Sequence, residues 1–195
     1  AFNKGMDLST GKYICIVNSD DKLTPKALTI IDKYIRNNQN IDFIFGSVRK
    51  HWGILHGYKP EKIKYSWGFY SSHSTGFFIK KDAAKAVGYY NTKYKYHADY
   101  DYFFRMIVKK KMIGIETKKS EISGIFRRGG FSSKISYRKL FFEEIKIRYD
   151  NGQNIFLIAI IVLYKIFRKN FKPIIYLFRL FILASNLSCN NPTGF

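Results

Sequence analysis

"YICIVNSDDKLTPKAL", residues 13–28, decides the fold. Residues 13–17 are apolar without alternation, the pattern of a strand buried on both faces. The run stops at Asn18, Ser19 and two adjacent carboxylates, Asp20 and Asp21. Thr24 followed by Pro25 reads as a helix start, a hydroxyl N-cap with proline where a missing N–H costs nothing. Leu28, Ile31 and Ile35 then recur on one helix face, "NNQN" closes the helix, and "IDFIFGSV", 41–48, reads as the next strand. Strand, helix and strand of these lengths predict a βαβ unit and hence an α/β fold. Ligands of open α/β sheets gather beyond the carboxyl ends of strands, where the two aspartates fall.

The wider composition makes that acidic pair conspicuous. The chain has 195 residues, enough for one domain with a true core, and its 46% hydrophobic and 18% aromatic shares exclude a disordered chain. Lys and Arg number 34 against 14 Asp and Glu, a net charge of +20. Such an excess predicts an anionic partner: nucleic acid, acidic lipid or a phosphorylated small molecule. Taken alone, Asp20 and Asp21 fit a turn, where Asp commonly meets unpaired N–H groups. They equally fit a hard-metal site, since carboxylate oxygens suit Mg²⁺ or Mn²⁺ and substrate phosphates complete the octahedron. Cys15 and Cys189 lack the spacing of a zinc or redox motif, so a reduced, cytoplasmic setting is expected. No signal-peptide pattern opens the chain.

Further along, residues 49–72 are poorly periodic and rich in Trp, Tyr, Gly and His, which predicts a long, functional loop. There Trp52 and Trp67 could stack on a ligand ring or simply pack. "STGFFIKKDAAKAVG", 74–88, predicts a strand and a helix closed by Gly88. "HADYDYFFRMIVKKKM", 97–112, predicts a helix with Tyr102, Phe103, Met106 and Ile107 on its apolar face and a basic end matched to the helix dipole. Asp101 lies four residues before Arg105, the spacing of a helix-surface ion pair. "IGIET" and "EISGIF" predict strands, 127–134 a basic glycine-rich loop, and 133 or 134 to 150 a further helix. Two regions result, a domain over 1–150 and a basic apolar tail over 151–195. The first apolar run of the tail, 155–164, is half the length that spans a bilayer, and all acids lie at or before Asp150. Apolar helices carrying only bases predict an anchor on an anionic membrane surface, or else a helical pair packed on the domain.

Four stretches, in order, resemble family 2 glycosyltransferases with the GT-A fold, of the bacterial exopolysaccharide and colanic-acid type. They are "AFNKGMDLSTGKYICIVNSDDKLTPKAL" (1–28), "HSTGFFIKK" (73–81), "HADYDYFFRMI" (97–107) and "FRRGGFSSK" (126–134). The resemblance covers residues 1 to about 150 and implies a GT-A-like, Rossmann-like mixed sheet with flanking helices. It further implies an inverting transferase that moves a sugar from a nucleotide-diphosphate donor to a saccharide or lipid-linked acceptor, in polysaccharide or cell-envelope glycan synthesis. Carried over by position, Asp21 resembles the metal ligand for Mn²⁺ or Mg²⁺, and Asp20 a contact to the donor's ribose or sugar. Asn18 stands where many relatives have Asp, and Asn3 and Gly5 belong to the stretch beside the nucleotide.

Asp99 resembles the family's catalytic base, a role that needs a carboxylate because an acceptor hydroxyl is a poor nucleophile until its proton is taken. Without the resemblance, Asp99 reads as the N-cap of its helix. His73 could touch the diphosphate or acceptor, or serve as a structural hydrogen bonder. Arg127 and Arg128 could close over a phosphate or form a solvated turn. The family's first strands have no counterpart before the "NKG" stretch, so the chain is expected to be an N-terminal truncation that does not turn over alone. The expected location is the cytoplasmic inner face of a membrane, with no nucleic-acid partner. Two rival readings are a basic nucleic-acid-binding module, since Tyr and Phe interleave with Lys, and a membrane-surface module without catalysis.

Overall fold

The computed structural model describes residues 1–65, 74–127 and 135–168. The chain divides into two units, Ala1–Gln153 and Asn154–Phe195. In chain order the first unit contains α1 (Phe2–Leu8), β1 (Tyr13–Cys15), β2 (Lys22–Leu23), α2 (Ala27–Asn37), β3 (Phe43–Phe45), β4 (Ser47–Lys50) and β5 (Gly53–Leu55). A 3₁₀ turn at Pro60–Lys64 follows, then β6 (Phe77–Lys80), α3 (Lys81–Val87), α4 (Ala98–Phe104), β7 (Gly114–Glu116), β8 (Ile122–Ile125) and α5 (Tyr137–Asp150). In the second unit, residues 155–168 are helical.

The strands form two mixed sheets of four, in the orders β1-β6-β3-β7 and β2-β8-β4-β5. β1 and β3 run the same way, as a βαβ unit requires, yet β6 lies between them and is antiparallel to both. Only β3–β7 and β4–β8 pair in parallel. The expected single strand 41–48 is two strands, because at Gly46 the chain passes from the first sheet to the second. A Cβ on Gly46 would stand 2.1 Å from Ser123 Oγ, so only glycine lets the crossing approach β8 this closely.

Side-chain alternation along β3 supplies both faces of the first sheet. Phe43 and Phe45 join Ile14, Phe77, Ile79, Phe103, Phe104 and Met106 on the side covered by α3 and α4. Ile44 and Phe78 turn to the other side, against Ile31 of α2. Phe43, Phe45, Phe77 and Phe103 meet edge-to-face or tilted, with centroids 4.8–6.0 Å apart where paired. Full burial of each such ring contributes roughly 1.5–3 kcal/mol.

Several local expectations are corrected by tertiary contacts. Thr24 is not the cap of α2: its hydroxyl donates to Ile122 O (2.6 Å) and its amide to Ser123 O (2.9 Å), so the helix starts at Ala27. Leu28 is consequently 68% exposed, and the buried face is built from Ala27 and Ile31, with Tyr34 and Ile35 packed beside them. The stretch 49–72 is not one long loop, since β4 runs to Lys50 and turns into β5; residues 66–73, Trp67 included, lie outside the described residues. Trp52 is 60% exposed and thus not packed in the core. The helix, Ala98–Phe104, widens into a π-helical turn at Arg105–Lys109, with Tyr102, Phe103, Met106 and Ile107 buried as expected. Gly88 closes α3 at φ 85°, a value that glycine adopts without strain.

Close contact between β3 and β7 gives the first prediction. A Cβ on Gly114 would lie 2.1 Å from the ring of Phe43, which is fully buried and locked by its aromatic neighbours. Gly114→Ala is expected to cost about 1–3 kcal/mol by overpacking. A thermal melt should show Tm lowered by several degrees, at roughly 2–4 °C per kcal/mol for a chain of this size.

Candidate functional site

Residues 18–21 form a turn closed by the Asp21 amide donating to Asn18 O at 3.0 Å. Turn and functional readings of "NSDD" therefore coincide in space: the turn aims the carboxylates beyond the end of β1. The two carboxylates differ sharply. Asp21 is 7% exposed, and its Oδ2 accepts from Thr75 Oγ1 (2.5 Å) and Asn18 Nδ2 (3.1 Å). Its Oδ1 faces the Arg127 amide at 3.4 Å. Asp20, at the turn's corner, is half-exposed and makes no side-chain hydrogen bond or ion pair among the described residues.

Pairing of β1 with β6 explains Thr75. Cys15 is in register with Phe78, so the segment just before β6 lies beside the turn just after β1. Asn18 Nδ2 also reaches Ser74 Oγ (3.0 Å), and Cys15 Sγ contacts Thr75 O at 3.7 Å. Burial pushes the Cys15 thiol up to about 12, so it stays a neutral packing group. Arg127 follows β8, which pairs with β2 directly after the aspartates.

Asp99 enters from α4. It is half-exposed and lies two residues beyond His97, the cap position, so it is not itself the N-cap; its Oδ1 accepts the Tyr100 amide at 2.8 Å. Glu143 of α5 holds the segment that leads into α4: its carboxylate accepts the amides of Lys95 (2.9 Å), Tyr96 (2.6 Å) and His97 (2.7 Å). The expected Asp101–Arg105 pair forms at 2.9 Å, but inside the protein and not on the surface: Asp101 is 2% exposed and also accepts Asn151 Nδ2 at 2.8 Å. Arg105 additionally donates to Val87 O and Tyr89 O, clamping α4 to the end of α3.

Lys50, at the end of β4, links the two acidic segments electrostatically. Desolvation lowers its pKa from the usual lysine range, while the negative charges of Asp21 and Asp99 both act on it in the opposite sense. Lys50 and Thr75 escaped sequence reasoning. Thr75 lies inside a quoted motif but has no signal of its own, and Lys50 lies in the stretch read as loop.

The remaining expected residues are distributed as follows. Asn3 commits its amide to the backbone of Tyr90, donating to the carbonyl at 2.9 Å and accepting the N–H at 2.9 Å. Gly5 is an exposed residue of α1 with open space about it. Arg127 is exposed, whereas His73 and Arg128 lie outside the described residues. Among the described residues no group of three or more His, Cys, Asp or Glu is arranged to hold a metal ion.

The chain matches no family model. It is similar to an uncharacterized glycosyltransferase of Methanocaldococcus jannaschii, at 30% identity over 162 residues that make up 78% of this chain. The chain spans 56% of the length of that relative. The likeness supports a glycosyltransferase, and the mixed sheets with helices on both faces are compatible with a Rossmann-like transferase fold.

The clamp on α4 can be tested directly. Arg105→Leu leaves the Asp101 carboxylate buried without its cation, and loss of one partner of a buried pair costs about 3–5 kcal/mol. Urea unfolding followed by circular dichroism should show the midpoint shifted down with an unchanged slope.

Proposed function

We propose that the chain belongs to an inverting family 2 glycosyltransferase of the GT-A type, which moves a sugar from a nucleotide-diphosphate donor to a hydroxyl of a saccharide or lipid-linked acceptor. The observation that supports this reading most is the acidic turn after β1, in which Thr75 and Asn18 hold Asp21 beside the half-exposed Asp20. Asp99 is the base: its half-exposed carboxylate takes the acceptor proton as the new C–O bond forms. The acidic pair suits Mn²⁺ or Mg²⁺, because hard cations take oxygen donors and one or two carboxylates suffice when substrate phosphates supply the rest. Of the pair, Asp20 has no other partner among the described residues, and Asp21 is pinned in place by Thr75 and Asn18. A cation bound there supplies charge stabilisation for the departing diphosphate. Arg127 and the "NKG" residues Asn3 and Gly5 belong to the donor side in this reading, with His73 and Arg128 as further contacts.

The test uses the protein expressed in its full native reading frame, with Mn²⁺ and a panel of nucleotide sugars, following release of nucleoside diphosphate. Asp99→Asn is expected to lower turnover at least about a hundredfold, the scale of lost general-base catalysis. Asp20→Asn and Asp21→Asn should abolish the metal dependence. Unchanged turnover in a correctly folded variant removes that residue from the site.

The membrane-surface part of this reading rests on residues 155–168. No described helix is long and apolar enough to cross a membrane. Phe156, Ile160, Leu163 and Phe167 recur at helical spacing and are 76%, 59%, 67% and 55% exposed. With Lys165 and Arg168 as its charges and no acid, this helix suits the interface of an anionic bilayer at the cytoplasmic face. Lipid-linked acceptors would be met there. Phe156→Asp with Leu163→Asp should strongly reduce cosedimentation with phosphatidylglycerol vesicles, and retained binding would remove the helix as the anchor.

A further inference from the structure

Lys50 ends β4, which runs parallel to β8 with Arg49 opposite Ile125. Its ammonium lies 4.7 Å from the centroid of the Phe126 ring and 6.0 Å from that of Trp52. The Phe126 amide donates to Arg49 O at 2.9 Å, and the next amide, of Arg127, faces Asp21 Oδ1. Strand pairing therefore carries the lysine to the flank of the acidic turn, half-buried, with its ammonium beside aromatic rings. Its head makes no ion pair or hydrogen bond among the described residues. An ammonium has three donors, and the face of an aromatic ring replaces only part of the water it has lost. An anion entering beside the acidic turn would complete its shell.

We propose that Lys50 is a diphosphate-binding residue of the transfer site, donating to the phosphate oxygens of the leaving group beside the cation held by the acidic pair. The proposal rests on the glycosyltransferase reading above and adds a group that no motif indicated. In the reaction the bond between the anomeric carbon and the diphosphate oxygen breaks, and its electron pair leaves with the diphosphate. The acceptor oxygen bonds to the anomeric carbon and its proton passes to Asp99. Negative charge on the diphosphate grows as that bond breaks, so a fixed ammonium there binds the transition state more tightly than the donor. Lysine suits the role as a compact charge on a movable stem, which phosphate accepts from many directions.

The experiment measures binding of inorganic pyrophosphate in the presence of Mn²⁺ by titration calorimetry, with Mn²⁺ binding alone followed by electron paramagnetic resonance. Pyrophosphate needs no nucleobase contact, so the probe isolates the diphosphate subsite. Lys50→Gln is expected to weaken pyrophosphate binding about tenfold or more, the scale of a lost charge-assisted hydrogen bond. Lys50→Arg should retain most of the affinity. Mn²⁺ affinity should not fall in Lys50→Gln, because a neighbouring positive charge has been removed; a packing role would lower both together. Equal pyrophosphate affinity in wild type and Lys50→Gln overturns the proposal and leaves the transferase reading standing. Wild-type protein that binds Mn²⁺ but not pyrophosphate also overturns it. Binding of neither overturns the metal-site reading and the proposal with it.

Discussion

Burying a carboxylate means replacing its hydration, and the arrangement around Asp21 is built on meeting that requirement. A charged group left unpaired inside a protein is costly enough that donors must be supplied. They come from separate pieces of chain: Asn18 from the same turn, Thr75 from the approach to β6, and the Arg127 amide from the exit of β8. Thr75 and the Arg127 amide are available only because their strands are paired in one register. A one-residue slip between β1 and β6 would turn every side chain to the other face and carry Thr75 off the carboxylate. The need of one charged group therefore fixes where two sheets end relative to each other.

Around Asp99 the same economy divides the acids by exposure. Glu143 and Asp101 hold backbone and side-chain partners, with Asp101 fully enclosed. Asp99 precedes Asp101 by two positions and is left half-exposed, one oxygen on the Tyr100 amide. Packing reinforces this, since Tyr102 stacks on Tyr90 at 4.2 Å and Asn3 grips the Tyr90 backbone. A rigid helix start presenting a solvent-accessible carboxylate is what a group that exchanges protons with a substrate requires.

The second sheet contributes what the first cannot. At Gly46 the chain leaves β3 and becomes β4, and the parallel pairing of β4 with β8 delivers Lys50 alongside Phe126. A strand break at one glycine thus brings a positive charge to the flank of the acidic turn. Desolvation and the two negative charges act on the Lys50 ammonium in opposite senses, with desolvation the larger effect.

Elements whose pattern is local and strong were legible in the sequence. The apolar runs of β1, β3, β6 and β8, the Gly88 stop and the buried face of α4 all follow from periodicity and backbone preference, which neighbours along the chain decide. The acidic turn and the resemblance through "NSDD" and "HADYD" likewise marked Asp20, Asp21 and Asp99 as candidates. Tertiary structure alone decided the rest. Thr24 reads as a cap until β8 offers its carbonyls, Asp101–Arg105 reads as a surface pair until Asn151 and the end of α3 enclose it, and Lys50 reads as loop until β8 lies beside it. In each case the deciding partner lies at least 18 residues away, and no local preference encodes a hydrogen bond or a desolvated charge whose partner arrives only when the sheets assemble.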